Sequence, residues 1–365
     1  MNTSVFVGAP LFYQGIKPVM KGPVSARGQI QKMYATYWSR SSELKARLGC
    51  EYLAILLTLQ KMGVPFQIIL PDRRLLISEI IRNLSDRGFT FAEFPDIDVA
   101  VLTFPRDLGV MVGTTTLIND CLTNLCLPPE MDGRKILRSP YGEGGRLLYR
   151  KNTALVSNRY YRSEDIKTMR DIGGRPAHTD SLRELGCCPA TLPLPVTFYQ
   201  EEGGRVSFNP DDHPDRHYAL VEDRCGELHL FVDPGIQSGL RGVFQPPAMS
   251  SGRTLEELKK ICAKISIRLH IPQKLRVFGS INFMQFQDGR ILMTGGEPEL
   301  QGELEELVGK ECVHPTPLPI QFHPAFLQGG IRCLITELPN WVSNLSPFVN
   351  ESWLSEHALQ GVLIQ

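Results

Sequence analysis

The sequence has no CxxC pair, no block of like charge and no apolar run long enough to cross a bilayer. Each absence closes a class of function. Lys+Arg and Asp+Glu are both 39, so the formal net charge is zero. No global field therefore draws the chain to nucleic acid or to an anionic membrane surface. The longest apolar stretches, Tyr52–Leu57 and Phe66–Leu70, fall far short of the roughly 20 residues a spanning helix needs. The opening MNTSVFVGAPLFYQG lacks both a basic region and an extended apolar region, which argues against a secretory leader and for a cytoplasmic protein. The nine cysteines are odd in number and scattered, which predicts free thiols in a reducing compartment rather than a disulfide framework. Cys121 and Cys126 have no histidine near them in sequence, so no zinc site is expected there. Low-complexity segments and long linkers are also missing. The expectation is one domain over residues 1–365.

What is present is a repeat. Leu59–Pro71 (LQKMGVPFQIILP), Leu182–Pro195 (LRELGCCPATLPLP) and Leu304–Pro319 (LEELVGKECVHPTPLP) start at near-equal spacing. Each ends an amphipathic helix at a glycine and continues as an extended apolar run closed by proline. Ile81–Pro95 is a looser copy, and a fifth helix, Leu255–Leu269, runs into IPQKLRVFGS. Strand candidates lie between these units: Val99–Phe104, Thr153–Asn158, Leu228–Val232, Ile291–Thr294 and Ile331–Leu338. Helices alternating with strands predict an α/β fold. A period near 60 residues suggests modules around an axis, and a doubly wound open sheet satisfies the same periodicity. Gln245–Arg253 (QPPAMSSGR) reads as a loop.

Four stretches carry chemistry. They are FPRD (Phe104–Asp107), GEGG (Gly142–Gly145), DDHPDRHYALV (Asp211–Val221) and QGGIRCLITEL (Gln328–Leu338). Side chains alternate along a strand, so a strand-borne HPD would put His213 and Asp215 on one face. A histidine and a carboxylate with Cys333 make an acid/base–nucleophile set. Asp107 and Glu143 add two carboxylates, which repel unless a cation sits among them. Thiol and imidazole beside hard oxygens make a mixed set for a single metal ion. A planar guanidinium, which pairs with carboxylates through a fixed N–H fork, suits them better.

The ordered series FPRD, EGG followed by a strand and SNR (Ser157–Arg159), HPD, then GGIRC resembles the guanidino-group-modifying enzymes of the pentein superfamily, over about residues 50–340. These include arginine deiminases, agmatine deiminases, dimethylarginine hydrolases and amidinotransferases. The resemblance implies a five-bladed α/β propeller of ββαβ modules with pseudo-fivefold symmetry and a site on its axis. It implies a hydrolase without metal or cofactor, acting on a small guanidino compound, with no nucleic-acid or membrane partner and with homo-oligomer assembly open. Cys333 would attack the guanidinium carbon. His213 would protonate the departing amine and later activate water, with Glu143 steadying it and binding a further N–H. Asp107 and Asp215 would clamp the guanidinium, Arg159 would grip a substrate carboxylate, and Gly330 would admit substrate close to the backbone.

Two positions depart from the pattern. Pro214 removes a ladder N–H from the expected strand, which makes His217 a second candidate for the acid/base role. Arg146 follows EGG where the family often has Asp or Asn. Other features have plainer readings. HTD (His178–Asp180) precedes SLRELG, which assigns Thr179 or Asp180 to a helix cap. Cys187 and Cys188 read as core, and GEGG lacks the Lys-Ser/Thr end of a phosphate loop. Two other functions remain open beside the hydrolase: an amidinotransferase passing the group to an amine, and a non-catalytic pentein binding module.

Overall fold

The computed structural model describes residues 3–8, 42–70, 78–93, 105–120, 122, 125–157, 159–160, 175–176, 179–194, 196–200, 206–210, 213–234, 251–277, 279–320 and 330–348. The strand candidate Val99–Phe104, Cys121, His178, Asp211, Gly329 and the Gln245–Ser250 part of the expected loop lie outside these residues. The chain forms two compact units: Met1–Gly144 with Phe322–Gln328 and Arg332–Gln365, and Gly145–Gln321 with Gly329–Ile331.

The helix stops read from sequence are present, and four of them share one mechanism. The stop at Gly309 differs, with φ +96° and ψ 147°, its N–H on the Glu305 carbonyl and a 3-10 turn at Lys310–Cys312 following. Helix Ser42–Lys61 places Tyr52, Ile55, Leu56 and Leu59 on one buried face. Burying each such side chain contributes roughly 1.5–3 kcal/mol, which outweighs the mid-helix Gly49 and Cys50. The helix ends where Gly63 turns left-handed, at φ +68°, and the Val64 N–H returns to the Leu59 carbonyl. The same six-residue closure recurs from Phe89 to Leu84, from Cys187 to Leu182 and from Ile267 to Cys262. In every case the donor residue is itself buried, as the apolar residue after this type of C-terminus commonly is. Ser266 takes the left-handed position in the last of these, at φ +56°, without the freedom of glycine.

After each helix the chain re-enters a sheet. In the first unit the order is Ile335–Pro339, Thr3–Val7, Phe66–Leu70, Thr90–Glu93. The first pair is antiparallel and the later pairs are parallel. A second sheet pairs Gly109–Val112 antiparallel with Thr115–Asn119, which then pairs parallel with Arg134–Ser139. Phe6, Ile69, Ile118, Ile136 and Leu338 belong to one buried core.

The second unit repeats that register three times. Leu147–Arg150 and Thr153–Ser157 are antiparallel, and Cys188–Leu192 lies parallel to the latter. Tyr218–Glu222, Leu228–Val232 and Arg268–His270 follow the same rule, as do Met284–Gln285, Ile291–Met293 and Val313–Pro315. Helices Asp180–Glu184, Ser251–Lys264 and Pro298–Val308 precede the third strands. Two further hairpins, Arg159–Tyr160 with Arg175–Pro176 and Val196–Gln200 with Val206–Pro210, are separate.

Five sheets thus share one internal plan: an antiparallel pair, then a strand parallel to the second. This is a mixed α/β chain with several small sheets. Four of the five predicted helix–strand units are present where expected, but they do not map one to a sheet. The fifth is shifted: its helix ends at Lys264 rather than Leu269, the strand is Arg268–His270, and the described residues of IPQKLRVFGS form no strand. The copy at Ile81–Pro95 is an extra helix and edge strand on the sheet that already holds Phe66–Leu70. The Gly109–Ser139 sheet has no helix among its described residues. No helix among the described residues is long and apolar enough to cross a membrane.

Candidate functional site

The four chemistry-bearing motifs occupy one structural position. Each forms a 3-10 turn that leads into the first strand of a sheet: Pro105–Asp107 before Gly109–Val112, Pro140–Gly142 and Gly144–Arg146 before Leu147–Arg150, Pro214–Arg216 before Tyr218–Glu222, and Ile331–Leu334 before Ile335–Pro339. Proline opens three of the four leads, where its fixed φ and missing N–H suit a turn's first residue.

This corrects two expectations. HPD is not strand-borne: His213 is extended, Pro214 starts the turn, and Asp215 lies inside it. The alternation argument for a shared face therefore lapses, and Pro214 removes no ladder bond because there is no ladder there. Cys333 likewise sits in the turn ahead of its strand rather than on it. Cys188, expected in the core, is exposed, while Cys187 is buried and its thiol is pushed up by desolvation and by Cys188. Thr179 takes the N-cap position of its helix but makes no side-chain cap bond.

The first unit holds Asp107, Glu143 and Cys333. Asp107 is partly buried, and its backbone carbonyl accepts 2.8 Å from Nδ2 of Asn119, itself 5% exposed. The Asn119 N–H closes on the Leu108 carbonyl at 3.2 Å, so the last residue of a strand ties down the turn that feeds its neighbour. Glu143 lies between two close-packed glycines: a Cβ on Gly142 would collide with the Ile118–Asn119 backbone, and one on Gly144 with Arg106. Its own N–H returns to the Pro140 carbonyl at 3.4 Å. Cys333 is partly buried, and the Leu334 carbonyl beside it accepts from Gly8 N–H at 2.9 Å.

The second unit holds His213, Asp215, Gly330 and Arg159. The His213 ring lies against Gly145, where a Cβ would come within 2.8 Å of Cε1 and 2.9 Å of Cγ. His213 is partly buried and His217 more deeply so. Asp215 is fully buried, at 0% exposure. Its carbonyl accepts 2.7 Å from Nδ2 of Asn282, whose Oδ1 accepts the Gly330 N–H at 3.0 Å. Arg159 opens the two-stranded Arg159–Tyr160 hairpin, with its side chain outside the described residues.

Asn119 and Asn282 carry no local signal in sequence. Their partners lie 12, 67 and 48 residues away in the chain. Nor does Glu297, 2% exposed, whose Oε1 accepts from Arg276 N–H at 2.7 Å and Ser280 Oγ at 2.7 Å, and also from Val277 N–H.

Among the described residues, one group has the donor types of a metal site: Asp223, Glu227 and His229 bring one ligand atom each to within 4.8 Å of one another. Their bonds are already made among themselves and their neighbours. Asp223 Oδ1 accepts from Cys225 and Glu227 N–H, and its Oδ2 lies 3.1 Å from His229 Nε2. Glu227 pairs with Arg268, and His229 Nδ1 meets His270 Nε2 at 2.8 Å. Burial pushes Asp223 up, but the two N–H donors and the His229 ring together hold it below the usual carboxylate range. Burial pushes His270 down, with His229 and Arg268 adding to the effect.

No model of a known protein family matches the chain, and no curated protein matches it. Among solved structures, it is similar to the product-bound N-terminal domain of ArgZ, an arginine dihydrolase from the ornithine–ammonia cycle in cyanobacteria. That match has a TM-score of 0.47 at 12% identity, covering 92% of this chain and 97% of that domain. Against apo ArgZ the TM-score is 0.42 at 13% identity, covering 92% of this chain and 40% of the other. Both likenesses are weak, and the functional reading rests on this chain's own residues.

Proposed function

We propose that the protein is a cysteine-dependent hydrolase of a small guanidino compound of the arginine type, working as a single pentein-like domain in which the five like sheets surround one axis. The observation that carries this reading is the shared position of the four motifs. Thiol, imidazole and three carboxylates all come from turns that lead into first strands of sheets with the same plan. Residues at equivalent positions of repeated modules converge when the modules surround an axis, as loops do at one end of a barrel.

In this mechanism Asp107 and Asp215 take the guanidinium N–H groups, a charge-assisted and bidentate match. The Cys333 thiolate attacks the guanidinium carbon to form a C–S bond. Collapse of the tetrahedral adduct breaks one C–N bond, and the leaving amine takes a proton from His213. A water deprotonated by His213 then attacks the amidino-thioether, the C–S bond breaks, and the thiolate returns. The products are a ureido compound and ammonia. Repetition of the cycle on the ureido product gives an ornithine-type amine, carbon dioxide and a second ammonia. Glu143 accepts a further N–H and orients His213. His213 suits the acid/base role better than His217, because it is the less buried of the two.

The test is an assay of ammonia, ureido product and ornithine from L-arginine and close relatives, beside Cys333→Ala. Turnover should fall by at least about a thousandfold in the variant while guanidinium binding persists. Full activity in the variant would overturn the assignment of the nucleophile.

A further inference from the structure

Asn282 lies outside every motif read from the sequence, yet its side chain joins two of them. It is 2% exposed, and both ends of its carboxamide are used on backbone. Nδ2 donates to the Asp215 carbonyl, and Oδ1 accepts from Gly330, which stands three residues before Cys333 in the chain. Gly330 has no room for a Cβ, which would fall 2.7 Å from Asn282 Cβ and 2.9 Å from the Gly279 carbonyl. The close approach and the hydrogen bond therefore come as a pair.

Asn282 is itself held. Its N–H closes a turn on the Gly279 carbonyl at 2.9 Å. Arg276, Val277 and Ser280 before it are gathered onto the buried carboxylate of Glu297 by two N–H groups and a hydroxyl. All of these bonds lie within the second unit. A bonded polar path in a low-dielectric interior has few alternative arrangements, so it fixes distance as well as contributing stability. Leucine or methionine would fill such a space, but neither would hold two backbone segments at a set separation.

We propose that Asn282 is a positioning residue of the candidate site, fixing the Asp215 turn against the segment that leads to Cys333. The role rests on the guanidino-hydrolase reading; the separate claim that Asn282 locks these two segments does not. Asparagine is required because it donates at one end and accepts at the other. Aspartate at this place keeps the acceptor for Gly330, but its second oxygen faces the Asp215 carbonyl and can bond it only when protonated.

The experiment compares the full chain with Asn282→Asp and Asn282→Ala by peptide-level hydrogen exchange and by steady-state kinetics on L-arginine. In the aspartate variant, exchange should quicken over residues 213–217 and stay near wild type over 330–334. In the alanine variant both segments should open. Kinetically, Asn282→Asp should raise KM about tenfold with kcat little changed, because only the Asp215 clamp is loosened. Its kcat/KM relative to wild type should recover as pH falls. Asn282→Ala should lose kcat as well, by roughly 10- to 100-fold. A residue that merely stabilises the fold would lower the active fraction, and so kcat, with KM and local exchange unchanged. Wild-type exchange at both segments in both variants would overturn the lock itself. A wild-type protein silent on all guanidino compounds would overturn the hydrolase reading and the site role with it, and exchange would still decide the lock.

Discussion

The two ends of the strand Tyr218–Glu222 are held by different kinds of partner. At the hairpin end, residues 223–227 carry a local set of bonds, in which Asp223 accepts from Cys225 and Glu227 and Gly226 N–H returns to the Asp223 carbonyl. The side chains that reach this turn from far along the chain, Lys151 on the Gly226 carbonyl and Arg224 on the Val308 carbonyl and Glu311, are exposed. At the leading end, the Asp215 carbonyl is met by a buried side chain 67 residues away. Exposed charges bathed in water contribute little, so a turn with its own local bonds tolerates their loss. A turn held by a buried neutral group reports the state of the residue that holds it. The end carrying the motifs is the one with the buried distant partner, and a displacement of about 1 Å there would cost about a hundredfold in rate if the turn positions a reacting group.

The comparison is sharpened first by Asp215→Asn. The change is isosteric and leaves the backbone carbonyl with Asn282, so folding should survive. If Asp215 clamps the guanidinium as proposed, replacing its carboxylate should raise KM for a guanidino substrate by roughly a hundredfold, from about 3 kcal/mol of lost pairing. Unchanged KM would remove Asp215 from the site and break the contrast. Gly145→Ala comes next. Its new methyl group meets the His213 ring, so kcat should fall about tenfold, with about 1–3 kcal/mol of lost stability from overpacking. An alanine variant with wild-type kcat would show that the ring's place does not matter.

The smallest effect belongs to the hairpin end. His270 is held below its ordinary pKa, so the unfolded chain binds its proton more readily than the folded one. This contribution to stability is in place above about pH 6.5 and is lost as pH falls through the folded-state value. Asp223, also held low, loses its contribution in the same direction at lower pH. Melting curves between pH 7.5 and 5 should therefore show a falling Tm. In His270→Gln, whose amide still bonds His229 without titrating, the slope should flatten. Activity at pH 7.5 should stay within about twofold. A large loss of kcat there would couple the two ends and break the contrast from the other side.

How much of this was legible followed from the same distinction. The helix stops at Gly63, Gly88 and Gly186 are local events and could be read residue by residue. So could the strands Thr153–Ser157, Leu228–Val232 and Ile291–Met293. Two of the four leading turns, those of HPD and of Cys333, were misread as strand, the first because Pro214 was weighed as a fault in a strand. Pro105, Pro140 and Pro214 together show it to be the opening of a turn. Asn119, Asn282 and Glu297 could not have been found at all. An asparagine or glutamate reads the same whether it faces water or a carbonyl dozens of residues away, and only the folded chain tells them apart.

The pairing of Thr3–Val7 with Ile335–Pro339 sets a schedule for synthesis. Ser4 bonds Asn340 across 336 residues of chain, and Val5 faces Glu337 in the ladder. An emerging chain carries its strand at residues 3–7 without that antiparallel partner until residues 335–339 have been translated. The three sheets of the second unit draw their strands from residues 147–315 and can close earlier. The sheet that follows the Cys333 turn is the last to acquire its first strand. A ribosome-bound chain, or one truncated before residue 335, therefore presents an open apolar strand to chaperones before the turn that carries Cys333 can be anchored on its sheet.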